Sequence, residues 1–256
     1  MIRPRILLTR KLHDFALAEL QKRYNVFVHS GRIPMPKNEL MRRIKNADGL
    51  VCFPYDVIDR ETIQSAKNLK VISTYSVGYD HIDVKAAKQY GIKIGYTPEV
   101  LTNATADLTV ALMLDLVRKV TQGDRLIRAG KWDVIFGAHD YVGDDLEGKT
   151  LGIFGMGRIG RAVAKRASPF GMRIIYHSRN RLSPSLERRL HAKYVSFSDL
   201  IRSSDVLSIH APHGKETDKL IDLKVFRKMK KTSFLINTAR GKIINEKDLV
   251  NALKKN

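Results

Sequence analysis

The run Thr150-Leu151-Gly152-Ile153-Phe154-Gly155-Met156-Gly157-Arg158-Ile159-Gly160 decides the fold. Its first five residues form a mostly apolar stretch of strand length. Ile159, Val163 and Ala164 then follow at helical spacing. Between strand and helix stand three glycines in the order G-x-G-x-x-G. That pattern is weak alone and specific in a strand–turn–helix setting. Gly155 permits a tight turn, Gly157 lets main chain approach a diphosphate, and Gly160 lets helix and strand pack closely. The first amides of the helix present N–H groups and partial positive charge to the same diphosphate. A glycine-rich turn that only packs is the alternative, and the flanking strand and helix weigh against it.

Working outward, the next strand ends Ile174-Ile175-Tyr176-His177-Ser178-Arg179-Asn180-Arg181. Folds that select NAD place an acidic residue here to bind the ribose hydroxyls. No acid stands between Gly160 and Glu187; Arg179 and Arg181 take that place, with Ser178 beside them. A carboxylate repels an adenosine 2′-phosphate, whereas a guanidinium binds it with charge-assisted hydrogen bonds. The sequence therefore favours NADP(H), with NAD(H) left open. Two ordinary surface arginines are the competing reading.

The same alternation fills the rest of the chain. Strands are expected at Arg5–Thr9, Tyr24–His29, Gly49–Phe53, Leu69–Thr74 and Gly91–Gly95, and a second series at Arg173–His177, Val206–His210 and Ser233–Asn237. Helices are expected between them, with Thr102–Val120 the longest. This order predicts an α/β protein of two doubly wound parallel-sheet domains, the second a Rossmann dinucleotide-binding domain. The join falls near Glu99–Thr102, which divides the chain into residues 1–101 and 102–256. Gly123–Gly148, rich in Gly and Asp and carrying Trp132, Phe136 and Tyr141, reads as a long loop with a functional or partner-contact role.

Composition bounds the partners. The 256 residues carry a net charge of +20, unevenly placed. Residues 1–50 hold 11 basic against 4 acidic side chains, residues 51–150 hold 12 against 14, and residues 151–256 hold 23 against 8. Such an excess attracts anionic ligands or nucleic acid. The basic residues are scattered rather than blocked, which favours solvated helix faces. No helix-turn-helix or aromatic-rich basic strand is present, so nucleic acid is not the expected partner. One cysteine, Cys52, allows no intramolecular disulfide and fits a reducing cytoplasm. No apolar run reaches the roughly 18 residues of a membrane helix. No cluster of His, Cys and acids has metal-ligand spacing, so no metal is expected.

Several stretches together resemble one family, the D-2-hydroxyacid dehydrogenases, and within it the NADP-dependent glyoxylate/hydroxypyruvate reductases. They are the glycine loop, the HSRNR segment, Ser73–Asp83 (STYSVGYDHID), Thr97–Asp107 (TPEVLTNATAD) and Asn237–Gly241 (NTARG). The resemblance runs over the whole chain in one register. It implies hydride transfer between NADP(H) and a small 2-oxo or 2-hydroxy acid. By this resemblance, residues 1–101 bind substrate and 102–256 bind cofactor. Arg240 is the catalytic residue that grips the substrate carboxylate and polarises the 2-oxo group. The amides of Val77 and Gly78 hold the same carboxylate. Thr105, Thr238 and Ala239 line the nicotinamide end. Arg158 and Ile159 join Gly155, Gly157 and Gly160 at the diphosphate. Ser178, Arg179 and Asn180 surround the 2′-phosphate. Residues 103–145 resemble a dimerisation arm, so a homodimer is implied. The shared motifs leave the substrate's side chain open.

One departure stands against full activity. The sequence ends at Asn256, before the family's acid–base glutamate and its histidine in a Pro-His context. The expectation is a C-terminally truncated second domain, lacking also the helix that returns to the first, and low turnover. Ala211-Pro212-His213-Gly214 imitates the family's Pro-His-x-Gly, but it precedes Arg240 instead of following it. His213 is therefore not taken as the proton donor. His210, His81 and His177 read as packing or cofactor-adjacent residues. An NADP-binding regulatory protein, like the nucleotide-sensing corepressors of this fold, is the alternative function.

Overall fold

A computed structural model describes residues 3–31, 33–132 and 141–254. The chain divides into two compact units, Met1–Val100 and Leu101–Asn256.

The first unit is built from β1 (Arg5–Leu8), α1 (Asp14–Arg23), β2 (Asn25–Val28), α2 (Lys37–Ile44), β3 (Gly49–Cys52), α3 (Arg60–Ser65), β4 (Val71–Thr74), α4 (Val84–Gln89) and β5 (Lys93–Gly95). The strands lie in the order β2-β1-β3-β4-β5 and every pairing is parallel. Leu7, Ile44, Leu50, Ile58, Ile63 and Ile72 form its buried centre. Asp59 and Asp83 start α3 and α4 by accepting the amides of Thr62 (3.0 Å) and Ala86 (2.9 Å).

The second unit begins with α5 (Thr102–Arg118) and α6 (Val120–Arg128). It continues through β6 (Thr150–Phe154), α7 (Arg158–Ala167), β7 (Arg173–His177), α8 (Pro184–Arg189) and β8 (Ala192–Tyr194). It ends with α9 (Phe197–Ser203), β9 (Val206–Ile209), α10 (Leu223–Phe226), β10 (Phe234–Asn237) and α11 (Glu246–Leu253). Its sheet runs β10-β9-β6-β7-β8, again wholly parallel. The chain builds outward from β6 to β8, then returns to lay β9 on the other side of β6. That reversal leaves a crevice at the carboxyl ends of β6 and β9, where ligands bind in such sheets. All five residues of β6 are buried, as expected for a central parallel strand covered on both faces.

The two parallel α/β sheets agree with the sequence expectation. The segment after residue 118 corrects it. The long helix stops at Arg118 because Lys119 takes a left-handed conformation, φ +56°. A second helix, α6, then covers Val120–Arg128, part of what composition suggested was loop. Asp115 caps it by accepting the Thr121 amide at 2.6 Å, and Asp124 pairs with Arg128 one turn on. Residues 133–140, with Phe136, lie outside the described residues. The three-residue strand β8 was also not anticipated: it is too short to show a period, and only Ala192 of its residues is buried.

Candidate functional site

At the head of β6 the chain turns through Gly155, whose φ is +100°. A Cβ there would lie 2.4 Å from the Ala211 nitrogen, so the fold itself demands glycine. Gly160 is required too, since its Cβ would meet the Gly155 carbonyl oxygen at 2.3 Å. Gly157 differs. Its φ is an ordinary −75°, and a Cβ would meet nothing within 4 Å. Packing gives no reason for glycine at this position, whereas the open space suits main chain that must come close to a diphosphate. Gly157 and Arg158 are exposed at the start of α7. The first-turn amides of such a helix have no intrahelical acceptors.

Gly155 and Gly157 border a cleft of about 860 Å³ that also reaches Ser178, Arg179, Asn180 and Arg161. Two further bases, Arg181 and Lys215, and one acid, Glu216, line it. A concavity with this balance draws anions. Gly160, Arg158 and Ile159 do not line it: Gly160 and Ile159 pack α7 on β6, and Arg158 is exposed beside the turn.

The end of β7 carries a polar network. Tyr176 is wholly buried. Its hydroxyl donates to Glu187 Oε1 at 2.7 Å and accepts the Leu182 amide at 2.9 Å. Arg181 meets the same carboxylate through two bonds of 2.9 Å. The Arg181 and Tyr176 hydrogen bonds hold the Glu187 carboxyl down at about 2. Burial, with Glu187 adding to it, pushes the Tyr176 phenol up to about 12. Arg181 is thus committed to Glu187, although the sequence offered it beside Arg179 as a phosphate ligand. Arg179 is exposed, lines the cleft and has no partner among the described residues.

A second chain of contacts joins the ends of β9 and β10 to α5. His210 Nε2 lies 2.8 Å from Ser208 Oγ, and its Nδ1 lies 3.5 Å from Thr238 Oγ1. Thr238 Oγ1 is 3.0 Å from Thr109 Oγ1, which donates to the Thr105 carbonyl at 2.8 Å. Burial pushes the His210 imidazole down to about 4, so it is neutral near pH 7. Thr105 and Thr238 are thereby brought together through Thr109, but neither lines the cleft. Beyond β10, Asn237 braces the turn to Arg240. Its Oδ1 accepts the Ala239 amide at 3.0 Å and its Nδ2 donates to the Arg240 carbonyl at 2.9 Å. Arg240 Nη1 also donates to the Ala239 carbonyl at 3.0 Å. His213 lines the cleft but is engaged by Asp218 at 2.8 Å.

Residues 110–256 match the family described as "D-isomer specific 2-hydroxyacid dehydrogenase, NAD binding domain". The chain belongs to the D-isomer-specific 2-hydroxyacid dehydrogenase family. A glyoxylate reductase of Thermofilum pendens is 44% identical over 262 residues, covering 99% of this chain and 75% of that protein. One from Pyrococcus horikoshii is 41% identical over 256 residues, covering 99% and 76%. The solved glyoxylate reductase of Paecilomyes thermophila superposes with a TM-score of 0.85 at 38% identity, covering 100% of this chain and 79% of that one. This dehydrogenase is an oxidoreductase by family, and its second unit carries the nicotinamide-cofactor domain.

In the first unit of the dehydrogenase, Val77 and Gly78 follow β4 in a half-buried loop. Neither amide meets an acceptor among the described residues. Ser76 Oγ holds the loop by donating to the Gly78 carbonyl and lying 2.8 Å from Thr74 Oγ1, itself 3.0 Å from His81 Nε2. No group of three or more His, Cys, Asp or Glu side chains among the described residues is placed to hold a metal. No described helix is long and apolar enough to cross a membrane.

Sequence reasoning missed three contributors. Arg161 stands three residues after Arg158, on the same helical face, a spacing that could have disclosed it. Asn237 was read only as context for Arg240. Glu187 was noticed as the first acid after the glycines, but its pairing with Tyr176 and Arg181 needs the fold to bring α8 back under β7.

Proposed function

We propose that this dehydrogenase transfers hydride between NADP(H) and a small 2-oxo or 2-hydroxy acid, with glyoxylate and hydroxypyruvate the leading candidates. The carrying observation is the head of β7. An exposed Arg179 without a partner among the described residues lines the cleft there beside Ser178 and Asn180, and the nearest acid in sequence, Glu187, is already paired. A guanidinium free to form charge-assisted bonds favours the 2′-phosphate over a bare ribose.

Residues 102–256 take the cofactor role. Gly155, Gly157 and Gly160 shape the diphosphate turn, with Arg158 and Ile159 at the helix start. Ser178, Arg179 and Asn180 hold the adenosine phosphate, and Thr105, Thr238 and Ala239 border the nicotinamide end. Residues 1–101 take the substrate role. The substrate-side groups are Arg240 and the amides of Val77 and Gly78, which bind carboxylate. Arg240 also polarises the 2-oxo group, so that negative charge growing on its oxygen faces a fixed cation. The nicotinamide, when bound, supplies or accepts the hydride. Neutral His210 braces Thr238 without adding charge. The arm within residues 103–145 is assigned to a homodimer, because Leu108, Leu112 and Leu116 stay exposed at one-turn intervals on α5. A monomer in sedimentation would remove that assignment.

Titration calorimetry tests the cofactor reading. NADPH is expected to bind about tenfold or more tightly than NADH. Equal affinities would overturn NADP selectivity, and binding of neither would overturn the cofactor assignment. Glyoxylate-dependent loss of NADPH absorbance, abolished in Arg240→Ala, tests the substrate reading. Unchanged loss in that variant would release Arg240 from its role.

A further inference from the structure

The network at the end of β7 assigns different work to two neighbouring arginines. Arg181 is held along its Nε–Nη2 edge by both carboxylate oxygens of Glu187, and its guanidinium carbon sits 5.6 Å from the centre of the Tyr194 ring on β8. Glu187 is nearly enclosed, its side chain 13% exposed, and it does not line the cleft. Arg179, two residues earlier, lines the cleft with no protein partner among the described residues. Tyr176 ties the carboxylate to the Leu182 amide, so both ends of the turn carrying Ser178, Arg179 and Asn180 are anchored.

We propose that Arg181 governs cofactor choice indirectly: it neutralises Glu187 behind the phosphate-binding turn, leaving Arg179 as the one guanidinium that touches the 2′-phosphate. This rests on the NADP reading given above. An uncompensated carboxylate behind the turn would repel a doubly charged phosphate through partly screened medium. The same carboxylate would scarcely affect NADH, whose ribose carries hydroxyls there. Arg181 and Glu187 are therefore positioning residues that act as a unit, and their effects on binding are not additive.

The test is NADPH and NADH affinity, by titration calorimetry, in Arg179→Ala, Arg181→Ala and the double variant Arg181→Ala/Glu187→Gln. Arg179→Ala is expected to lose NADPH affinity about tenfold while keeping NADH. Arg181→Ala is expected to lose about three- to fivefold for NADPH alone, the scale of a half-exposed charge effect. The double variant, with the carboxylate removed, is expected to return to within about twofold of wild type. If it stays as weak as Arg181→Ala, Arg181 touches the phosphate directly and the inference is wrong. An Arg181→Ala protein with full NADPH affinity overturns it equally. An Arg179→Ala protein that keeps the NADPH preference overturns the inference alone, whereas a wild type without that preference fails the underlying NADP reading and takes the inference with it. Retained NADH binding reports the fold; should Arg181→Ala lose it, Arg181→Gln, which can still donate to Glu187, carries the same comparison.

Discussion

Gly155 and Ala211 press main chain against main chain at the seam between β6 and β9: a methyl group on the first would sit 2.4 Å from the nitrogen of the second. Gly157, two residues on, faces open space. The fold therefore demands the first glycine and not the second, which the proposed reading assigns to the diphosphate, and substitution separates the two. Gly155→Ala adds a backbone clash to a φ of +100° and is expected to cost about 3 kcal/mol or more, with aggregation or a sharply lowered Tm. Gly157→Ala is expected to melt within about 0.5–1 kcal/mol of wild type, since its φ suits any residue. It should nevertheless lose NADPH affinity by about tenfold or more, because the added methyl occupies the approach of the diphosphate. Melting curves and calorimetry on the two variants check this. A Gly157→Ala protein that binds as tightly as wild type would show that the turn does not cup the diphosphate.

His210 gives the second unit a dependence on pH. Its imidazole is buried between the Ser208 and Thr238 hydroxyls, and burial holds its pKa near 4 instead of 6.5. The unfolded chain thus takes up a proton that the folded chain refuses. The stability this contributes is full above pH 6.5 and is lost as pH falls toward 4, a swing on the order of 3 kcal/mol. Urea midpoints from pH 7 down to pH 4 are expected to fall more steeply for wild type than for His210→Gln, which has no proton to gain. Parallel curves would mean that the imidazole takes up its proton in the folded protein as readily as in the unfolded chain.

The sheets were legible because parallel, doubly covered strands leave mostly apolar runs such as Thr150–Phe154 and Val206–Ile209, and because glycine spacing marks the β6–α7 turn. The helix α6 was not legible: Gly123 and Asp124 belong to loop composition, and only the left-handed Lys119 with the Asp115 cap makes a new helix start there. Site residues followed the same division. Those in a contiguous motif, Gly155, Gly157, Ser178, Arg179 and Asn180, are gathered around one cleft. Relations made by the fold, such as Glu187 with Arg181 or Thr109 with Thr238 across 129 positions, leave no local trace in the sequence.

Asn237 supports the last prediction. Its amide spans the turn before Arg240 with both of its ends, to the Ala239 N–H and to the Arg240 carbonyl. A hydrogen bond of this kind contributes roughly 0.5–1.5 kcal/mol, so Asn237→Ala should cost on the order of 2 kcal/mol and free the main chain that aims the guanidinium. Asn237→Asp keeps the acceptor for Ala239 but replaces the donor to Arg240 by an oxygen that faces a carbonyl. It should therefore destabilise about as much and in addition place a carboxylate near the intended carboxylate site. Both variants are expected to weaken NADPH binding by no more than about two- to threefold, since Ala239 at the nicotinamide end loses part of its brace while the turn at β6 and the head of β7 are untouched. Both should weaken binding of oxalate, a non-reacting stand-in for the substrate, with Asn237→Asp the weaker of the two because like charges oppose it. Calorimetric titration of oxalate into the NADP-saturated protein reads the difference. Equal oxalate affinity in wild type and both variants would separate Arg240 aim from the Asn237 brace and leave Asn237 a purely structural residue.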